Sequence, residues 1–423
     1  MAIDSSRTAF ERTRRSLGGG VSSGLRAAMR PVPLFVEGAR GAHLWDLDGD
    51  RYLDYVMAWG PLVHGHSHPH IIDSVARVMR SMQVVGMGHR LEYEAAEAVL
   101  ESVPGAQRLV WTNSGTEAVQ VALRLARAAT GRHRIVKFAK AYHGWQDSVY
   151  AGMSADDTGE VAAPASRGQS PQAYADLIIS RFNDTAAIAA LLAQAEERRI
   201  AAVLIDPIMS NAGVLAPEPG FLESLRNLCD QHGVVLIFDE VITGFRIARG
   251  GAAEKFGVRP DLSVFGKAIA GGFTQSAVVG RADIIDLVEH GVTHAGTFNG
   301  NPVALAAVKA AMELSAAPGV FDELDDLGAA FEQAVTDVLI SAGAPGSVRR
   351  VGSLLQFVPR DETTSLHGTD GLWTEIAAGM VEAGAVFMPS GKIFLSTAHT
   401  PADIQETAVL LERVLQQISA RSA

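Results

Sequence analysis

Five short, largely apolar runs recur through the middle of the chain: Leu109–Trp111, Ile135–Phe138, Ala202–Ile205, Val234–Phe238 and Leu262–Phe265. A strand with one wet face alternates apolar and polar residues. Runs without that alternation belong to strands buried on both faces, which requires a sheet covered by helices on each side. The intervening segments supply such helices. Behind Thr116, the residues Ala118, Val121, Ala122, Leu125 and Ala126 follow the i, i+3, i+4, i+7 spacing of one helical face. This rhythm predicts an α/β fold with a mostly parallel central sheet.

The two ends of the chain read differently. Residues 33–56 look like antiparallel strands around an Asp48-Gly49-Asp50 turn. From about residue 315 a long helix precedes short strands at Gly352–Phe357, Val386–Met388 and Ile393–Leu395. A last helix is opened by Thr400, with Pro401 in its first position and Asp403 answering the cap, and it buries Ile404, Ala408, Leu411, Leu415 and Ile418. With 423 residues the chain has room for two joined domains. The expected division is a large domain over residues 61–314 and a smaller α+β domain built from residues 1–60 and 315–423.

Charge and cysteine usage narrow the partners. A net charge of −11 disfavours nucleic acid or an anionic membrane surface. The single cysteine, Cys229, allows neither an intramolecular disulfide nor a cysteine-based metal cage. No apolar run reaches the roughly 18 residues of a spanning helix, and the first residues, with Asp4, Glu11 and several arginines, do not fit a secretory signal. A cytoplasmic location is expected. His64, His66, His68 and His70 alternate, but Gly65, Ser67 and Pro69 argue for a turn leading into a helix, and no metal is expected. Arg7, Arg12, Arg14 and Arg15 read as a solvated helix face.

In open α/β sheets ligands bind beyond the carboxyl ends of the strands. Behind Leu109–Trp111 comes Asn113-Ser114-Gly115-Thr116, a small turn feeding a helix N-terminus, which is a seat for phosphate and also an ordinary helix start. Behind Ile135–Phe138 comes Tyr142-His143-Gly144, where a planar heterocycle can stack or aromatics can fill a turn. Behind Val234–Phe238 comes Asp239, a carboxylate that needs a cation if buried, and a protonated ring nitrogen would serve. Behind Leu262–Phe265 comes Gly266-Lys267. A desolvated lysine is partly neutral and attacks carbonyls, whereas a solvated one is inert. Taken together, these four strand ends carry the set that pyridoxal 5′-phosphate requires.

At this point the sequence resembles the class III aminotransferases of pyridoxal-phosphate fold type I, and among them looks most like the glutamate-1-semialdehyde 2,1-aminomutases. The likeness runs through Gly19-Gly20-Val21, Pro33-Leu34-Phe35-Val36-Glu37, Trp59-Gly60-Pro61, the stretch from Asn113 to Ala118, Tyr142-His143-Gly144, the stretch from Phe238 to Arg246, Gly266-Lys267 and the stretch from Gly296 to Pro302. The resemblance implies that Ser114, Gly115 and Thr116 hold the cofactor phosphate, with Tyr142 and Val241 on the two ring faces and His143 beside them. It implies that Asp239 pairs with the ring nitrogen and that Lys267 carries the cofactor as an imine and later shuttles a proton. It further implies a homodimer with shared sites, in which Thr297 reaches the neighbouring subunit's phosphate.

Departures from the pattern fall on the substrate side. The stretch from Met388 to Ser396 has no acid and looks about two residues shorter than in the aminomutases, where an acidic residue lines the pocket. Ala58 precedes Trp59 where serine is usual, Asp206-Pro207 stands in place of Glu-Pro, and Ala151–Gln169 replaces a glycine-rich gating loop. The expected function is therefore an aminotransferase acting between a small-molecule amino donor and an aldehyde or ketone acceptor of amino-acid or amino-sugar type. Arg26 is the leading carboxylate binder, Trp59 a pocket wall and Lys392 a second carboxylate candidate. An aminomutase, a lyase or dehydratase, and a non-catalytic cofactor-binding subunit remain as alternatives.

Overall fold

The computed structural model describes residues 3–154, 158–159, 162–358 and 371–422. The chain divides into two compact units, one formed by Met1–Pro69, Ala212–Val214 and Gly319–Ala423, the other by His70–Asn211 and Leu215–Pro318. The first changeover, expected near residue 60, lies later because residues 61–69 are tied into the smaller unit. His66 exchanges two backbone hydrogen bonds with Gly41 at 2.8 and 2.9 Å, and the Val63 carbonyl accepts from Thr397 N at 2.9 Å.

The larger unit is built on a seven-stranded sheet. Its strands are β1 (Arg108–Thr112), β2 (Arg134–Phe138), β3 (Leu177–Ser180), β4 (Ile200–Ile205), β5 (Val235–Asp239), β6 (Leu262–Phe265) and β7 (Ser276–Gly280), in the order β1-β7-β6-β5-β4-β2-β3. All five expected runs are strands. Among these pairings only β7 runs against its neighbours, β1 and β6. All six residues of β4 are buried, as a strand covered on both faces must be.

The helix Gly115–Thr130 shows how sequence becomes packing. It buries Ala118, Val119, Ala122, Leu123, Leu125 and Ala126, and Gly131 ends it in the left-handed region at φ +65°. These side chains join one core with Ile135, Leu204, Val235, Ile237, Leu262 and Val278 from the sheet. Each fully buried leucine contributes about 1.5–3 kcal/mol.

The smaller unit contains a sheet of Val36–Arg40, His43–Asp46 and Arg51–Asp54, antiparallel in succession, with Ala385–Val386 added in parallel. Asp46 Oδ1 accepts from Asp48 N at 3.0 Å and Asp50 N at 2.9 Å, closing the turn, while Gly49 supplies φ +82°. A second sheet joins Ser347–Val351, Leu354–Val358 and Lys392–Phe394. The helix Pro401–Ser422 begins as expected: Thr400 Oγ1 accepts from Asp403 N at 3.2 Å and Asp403 Oδ2 accepts from Thr400 N at 2.8 Å. Among the described residues no single helix is long and apolar enough to cross a membrane.

Candidate active site

The chemistry-bearing residues of the larger unit gather at the carboxyl ends of its strands. Past β1, Ser114 caps the helix Gly115–Thr130: its Oγ accepts from Glu117 N at 3.2 Å, and Glu117 Oε2 accepts from Asn113 N at 2.8 Å. The first-turn amides of Gly115 and Thr116 have no intrahelical acceptor and point outward with the positive end of the helix dipole. Ser114 keeps its hydroxyl proton to donate. Gly115 is small for a reason, since a methyl there would lie 3.1 Å from Val241 Cγ2. Gly144, at φ +93°, brings the Tyr142-His143 segment against the same turn, where a Cβ would stand 2.6 Å from Thr116 Oγ1.

Asp239 ends β5 and is 6% exposed. Its Oδ2 faces His143 Nδ1 at 2.7 Å and its Oδ1 accepts from Val241 N at 3.1 Å. The two oxygens have about four lone-pair sites, so the carboxylate can take a further donor. Burial pushes the His143 imidazole below the usual histidine range, Asp239 opposes that shift, and the Lys137 charge adds to it. The imidazole hydrogen that Asp239 receives therefore sits on Nδ1, a placement read from the hydrogen-bond partners. Tyr142 is partly buried and meets Tyr150 edge-on at 5.9 Å. Burial raises its phenol above the ordinary range, with Tyr150 and Asp239 adding to the effect.

Lys267 follows β6 in the left-handed region, at φ +47°. For a side chain with a Cβ that conformation costs about 1–2 kcal/mol, and such strain gathers at functional positions. Some of its surface is accessible, but the dense packing around it lowers its proton affinity. Asp239 and Asp206 oppose that lowering and Arg246 adds to it. Asp206, 4% exposed, is fixed by Ser210, whose N and Oγ each donate to Oδ2 at 3.0 Å. Arg246 is 1% exposed, and burial brings its guanidinium down to about 9. Val241 links the parts, since a Cβ on Gly266 would lie 3.4 Å from its Cγ1.

Other expected residues lie elsewhere. Thr297 is exposed in the same unit, on a turn held to the Ser114 segment by Asn113 Nδ2 donating to Asn299 Oδ1 at 2.9 Å. Arg26, Trp59 and Lys392 belong to the smaller unit. Arg26 is exposed on the Gly24–Ala28 turn, Trp59 is half-buried, and Lys392 is buried in the strand Lys392–Phe394 opposite Gln356. The acid-free stretch after Met388 is tied down by Phe357 N donating to the Gly391 carbonyl at 2.9 Å. Within Ala151–Gln169, residues 155–157, 160 and 161 lie outside the described residues.

The alternating histidines have separate partners: His66 Nε2 meets Asp54 at 2.7 Å and His70 Nε2 meets Glu313 at 2.7 Å, with the helix Pro69–Met79 starting between them. Among the described residues no three metal-binding side chains converge. Ser210 gives no sequence signal, whereas Lys137 gave one: a cation inside a buried apolar strand.

The arrangement fits pyridoxal 5′-phosphate. Asp239 has acceptor capacity for a ring N–H, Lys267 is an amine with depressed basicity, and Val241 crowds a glycine-bearing helix start that offers free amides. Residues 25–415 match the aminotransferase class-III family. A glutamate-1-semialdehyde 2,1-aminomutase of Acetivibrio thermocellus is 39% identical, covering 98% of this chain and 97% of its own. The crystal structure of an omega-transaminase from Sphaerobacter thermophilus superposes with a TM-score of 0.89 at 34% identity, covering 97% of each chain. A transaminase with PLP bound gives 0.91 at 29% identity over 100% of this chain and 99% of that one. The chain belongs to the class-III aminotransferases, enzymes that work with pyridoxal phosphate.

Proposed function

We propose that this enzyme transfers an amino group from one small molecule to an aldehyde or ketone acceptor of amino-acid or amino-sugar type. The observation that carries the reading is the buried His143–Asp239 pair, at 2.7 Å, within electrostatic reach of Lys267, whose proton affinity burial lowers. Bound pyridoxal phosphate supplies an electron sink that eases removal of a proton beside the amine-bearing carbon. Asp239 receives the ring N–H, and His143 holds Asp239 in place. Lys267 Nζ is the covalent anchor and, once free, takes the proton from the donor's amine-bearing carbon. Ser114, Gly115 and Thr116 hold the phosphate with first-turn N–H and O–H donors, while Tyr142 and Val241 cover the ring faces.

Arg26 is proposed as the bidentate carboxylate binder, Trp59 as a pocket wall and Lys392 as a second cation for an acidic group. Homodimerisation, with Thr297 serving the neighbouring phosphate, fits the exposed apolar residues Val84, Val85, Met87 and Phe298 of the larger unit. His89 Nε2 lies 2.8 Å from the Gly300 carbonyl, which keeps the two segments together.

A transferase is preferred over an aminomutase because the stretch from Met388 to Ser396 carries no carboxylate. The 39% identity to an aminomutase supports that second reading. Borohydride reduction of the purified holoenzyme followed by peptide mapping tests the anchor, with the adduct expected on Lys267. A panel of amino acids, diamines and amino sugars then tests the reaction. Donors that convert the cofactor to its amino form and release a carbonyl compound support transfer. Turnover of a single amino-aldehyde without added donor moves the assignment to aminomutase.

A further inference from the structure

We propose that Lys137 is a positioning residue for the cofactor site, its ammonium pinning the loop from Ala141 to Ala151 that carries Tyr142 and His143. The inference rests on the assignment of that loop to cofactor binding. Lys137 lies in β2 among Ile135, Val136 and Phe138, and it is 0% exposed. A cation in such a place is costly unless its donors are satisfied. All three are: Nζ donates to the carbonyls of Ala141 at 2.8 Å, Val149 at 3.0 Å and Ala151 at 2.7 Å.

The loop needs this help. Residues 141–150 form neither helix nor strand, so their buried carbonyls have no ladder to join. Lys137 gathers one carbonyl at the start of the loop and two at its end. Ala141 immediately precedes Tyr142, and His143 follows to meet Asp239. Val149 and Ala151 flank Tyr150, whose ring meets Tyr142 edge-on at 5.9 Å. Holding both carbonyls beside Tyr150 therefore fixes the ring that buttresses Tyr142. The base of the loop is closed by Lys140 N donating to the Gly152 carbonyl at 2.9 Å, and Gln169 Nε2 donates to the Tyr150 carbonyl at 2.8 Å. Burial lowers the proton affinity of His143, Asp239 opposes that shift, and the Lys137 charge adds a smaller push in the direction of burial.

The substitution K137M keeps the unbranched apolar stem, one atom shorter, and removes all three donors. Three readouts are taken on the full chain: the dissociation constant for pyridoxal phosphate, the visible circular dichroism of the bound cofactor, and proteolysis between Ala141 and Ala151 without cofactor. The expected result is a dissociation constant raised about tenfold or more, a weakened dichroic band and faster cleavage within the loop. Should K137M not fold, K137Q keeps two N–H donors and is expected to show the same changes at smaller size. A folded variant with wild-type dichroism, affinity and cleavage overturns the proposal. Borohydride trapping at Lys267 in the wild-type protein reports separately on the cofactor site, and the cleavage readout does not depend on it.

Discussion

His143 Nδ1 and Asp239 Oδ2 share a 2.7 Å hydrogen bond from which bulk water is excluded, with His143 1% exposed and Asp239 6%. A bond of this kind to a carboxylate is worth about 1.5–3 kcal/mol, and it fixes the direction of the remaining lone pairs. His143→Ala should lower kcat by about 10- to 100-fold with little change in the substrate KM. The split between kcat and KM in steady-state kinetics checks this, and a pure KM effect would place His143 on the substrate side instead.

Lys267 combines a left-handed backbone, at φ +47°, with an amine whose basicity packing lowers. Lys267→Ala removes the proposed anchor and the proton carrier while leaving the phosphate seat intact. Turnover should fall by at least about a thousandfold, whereas cofactor still co-elutes with the protein. Gel filtration monitored in the visible, together with an assay of the same fractions, separates the two effects. Full activity in this variant would remove Lys267 from the mechanism.

The legible parts of the fold and site are those where burial conflicts with chemistry or leaves no choice. The five largely apolar runs became strands because nothing else hides them from water. β3 and β7 lie outside those runs: Leu177–Ser180 is as short an apolar stretch as Leu109–Trp111 without a glycine-bearing turn behind it to mark it, and β7 breaks the parallel rhythm by running against β1 and β6. Asp239 and Lys267 stood out as charges at the ends of core strands. Lys137 is the same kind of signal, yet its meaning depends on a loop folding back onto β2. The left-handed backbones at Met57, Ala58, Trp59 and Lys267 were invisible, because residues with a Cβ announce no positive φ. Arg26, Trp59 and Lys392 come from three distant segments, and no local pattern ties them to one ligand.

His399 makes stability depend on acid. Its Nδ1 accepts from Ser396 N at 3.1 Å and its Nε2 faces the Asp54 carbonyl at 3.2 Å, so the neutral ring is the one that fits. Burial brings its pKa from 6.5 to about 4, with Asp54 and Asp403 opposing. A folded value below the unfolded one means that the unfolded chain binds the proton first. The stability is intact above about 6.5 and is lost as pH falls towards 4, by at most about 3 kcal/mol from this residue. His143 adds in the same direction. Thermal melts from neutral to mildly acid pH should show this decline, and His399→Gln should flatten it. An unchanged acid limb in that variant would assign the loss elsewhere.

Three consecutive residues with side chains, Met57, Ala58 and Trp59, hold φ of 45°, 55° and 73°. Left-handed backbone costs each about 1–2 kcal/mol, so something must hold the turn. Asp54 does: its Oδ1 accepts from Val56 N at 2.8 Å and its Oδ2 from Met57 N at 3.1 Å, while His66 Nε2 approaches Oδ2 at 2.7 Å. Asp54→Ala should lower unfolding free energy by about 3 kcal/mol, since it orphans two buried amides and a histidine. Ala58→Gly relieves the Cβ clash but loosens the unfolded chain, and should stay within about 0.5 kcal/mol of the parent. Urea denaturation distinguishes these outcomes, and a large loss in the glycine variant would show that the turn is not strained.

Two glycines of the site should respond unequally to a methyl group. A Cβ on Gly115 would lie 3.1 Å from Val241 Cγ2, a clash that a small movement of the valine relieves. A Cβ on Gly144 would lie 2.6 Å from Thr116 Oγ1 and 3.0 Å from Thr116 Cα, so the first turn of the Gly115–Thr130 helix has to shift. The residue would also hold φ +93°, where side chains are strained by about 1 kcal/mol or more. If that turn seats the phosphate, Gly144→Ala should weaken pyridoxal phosphate binding by about a hundredfold and Gly115→Ala by about tenfold or less. Equilibrium dialysis against the cofactor ranks them. Equal, wild-type affinity in Gly144→Ala would mean that the phosphate is held somewhere other than the Thr116 turn.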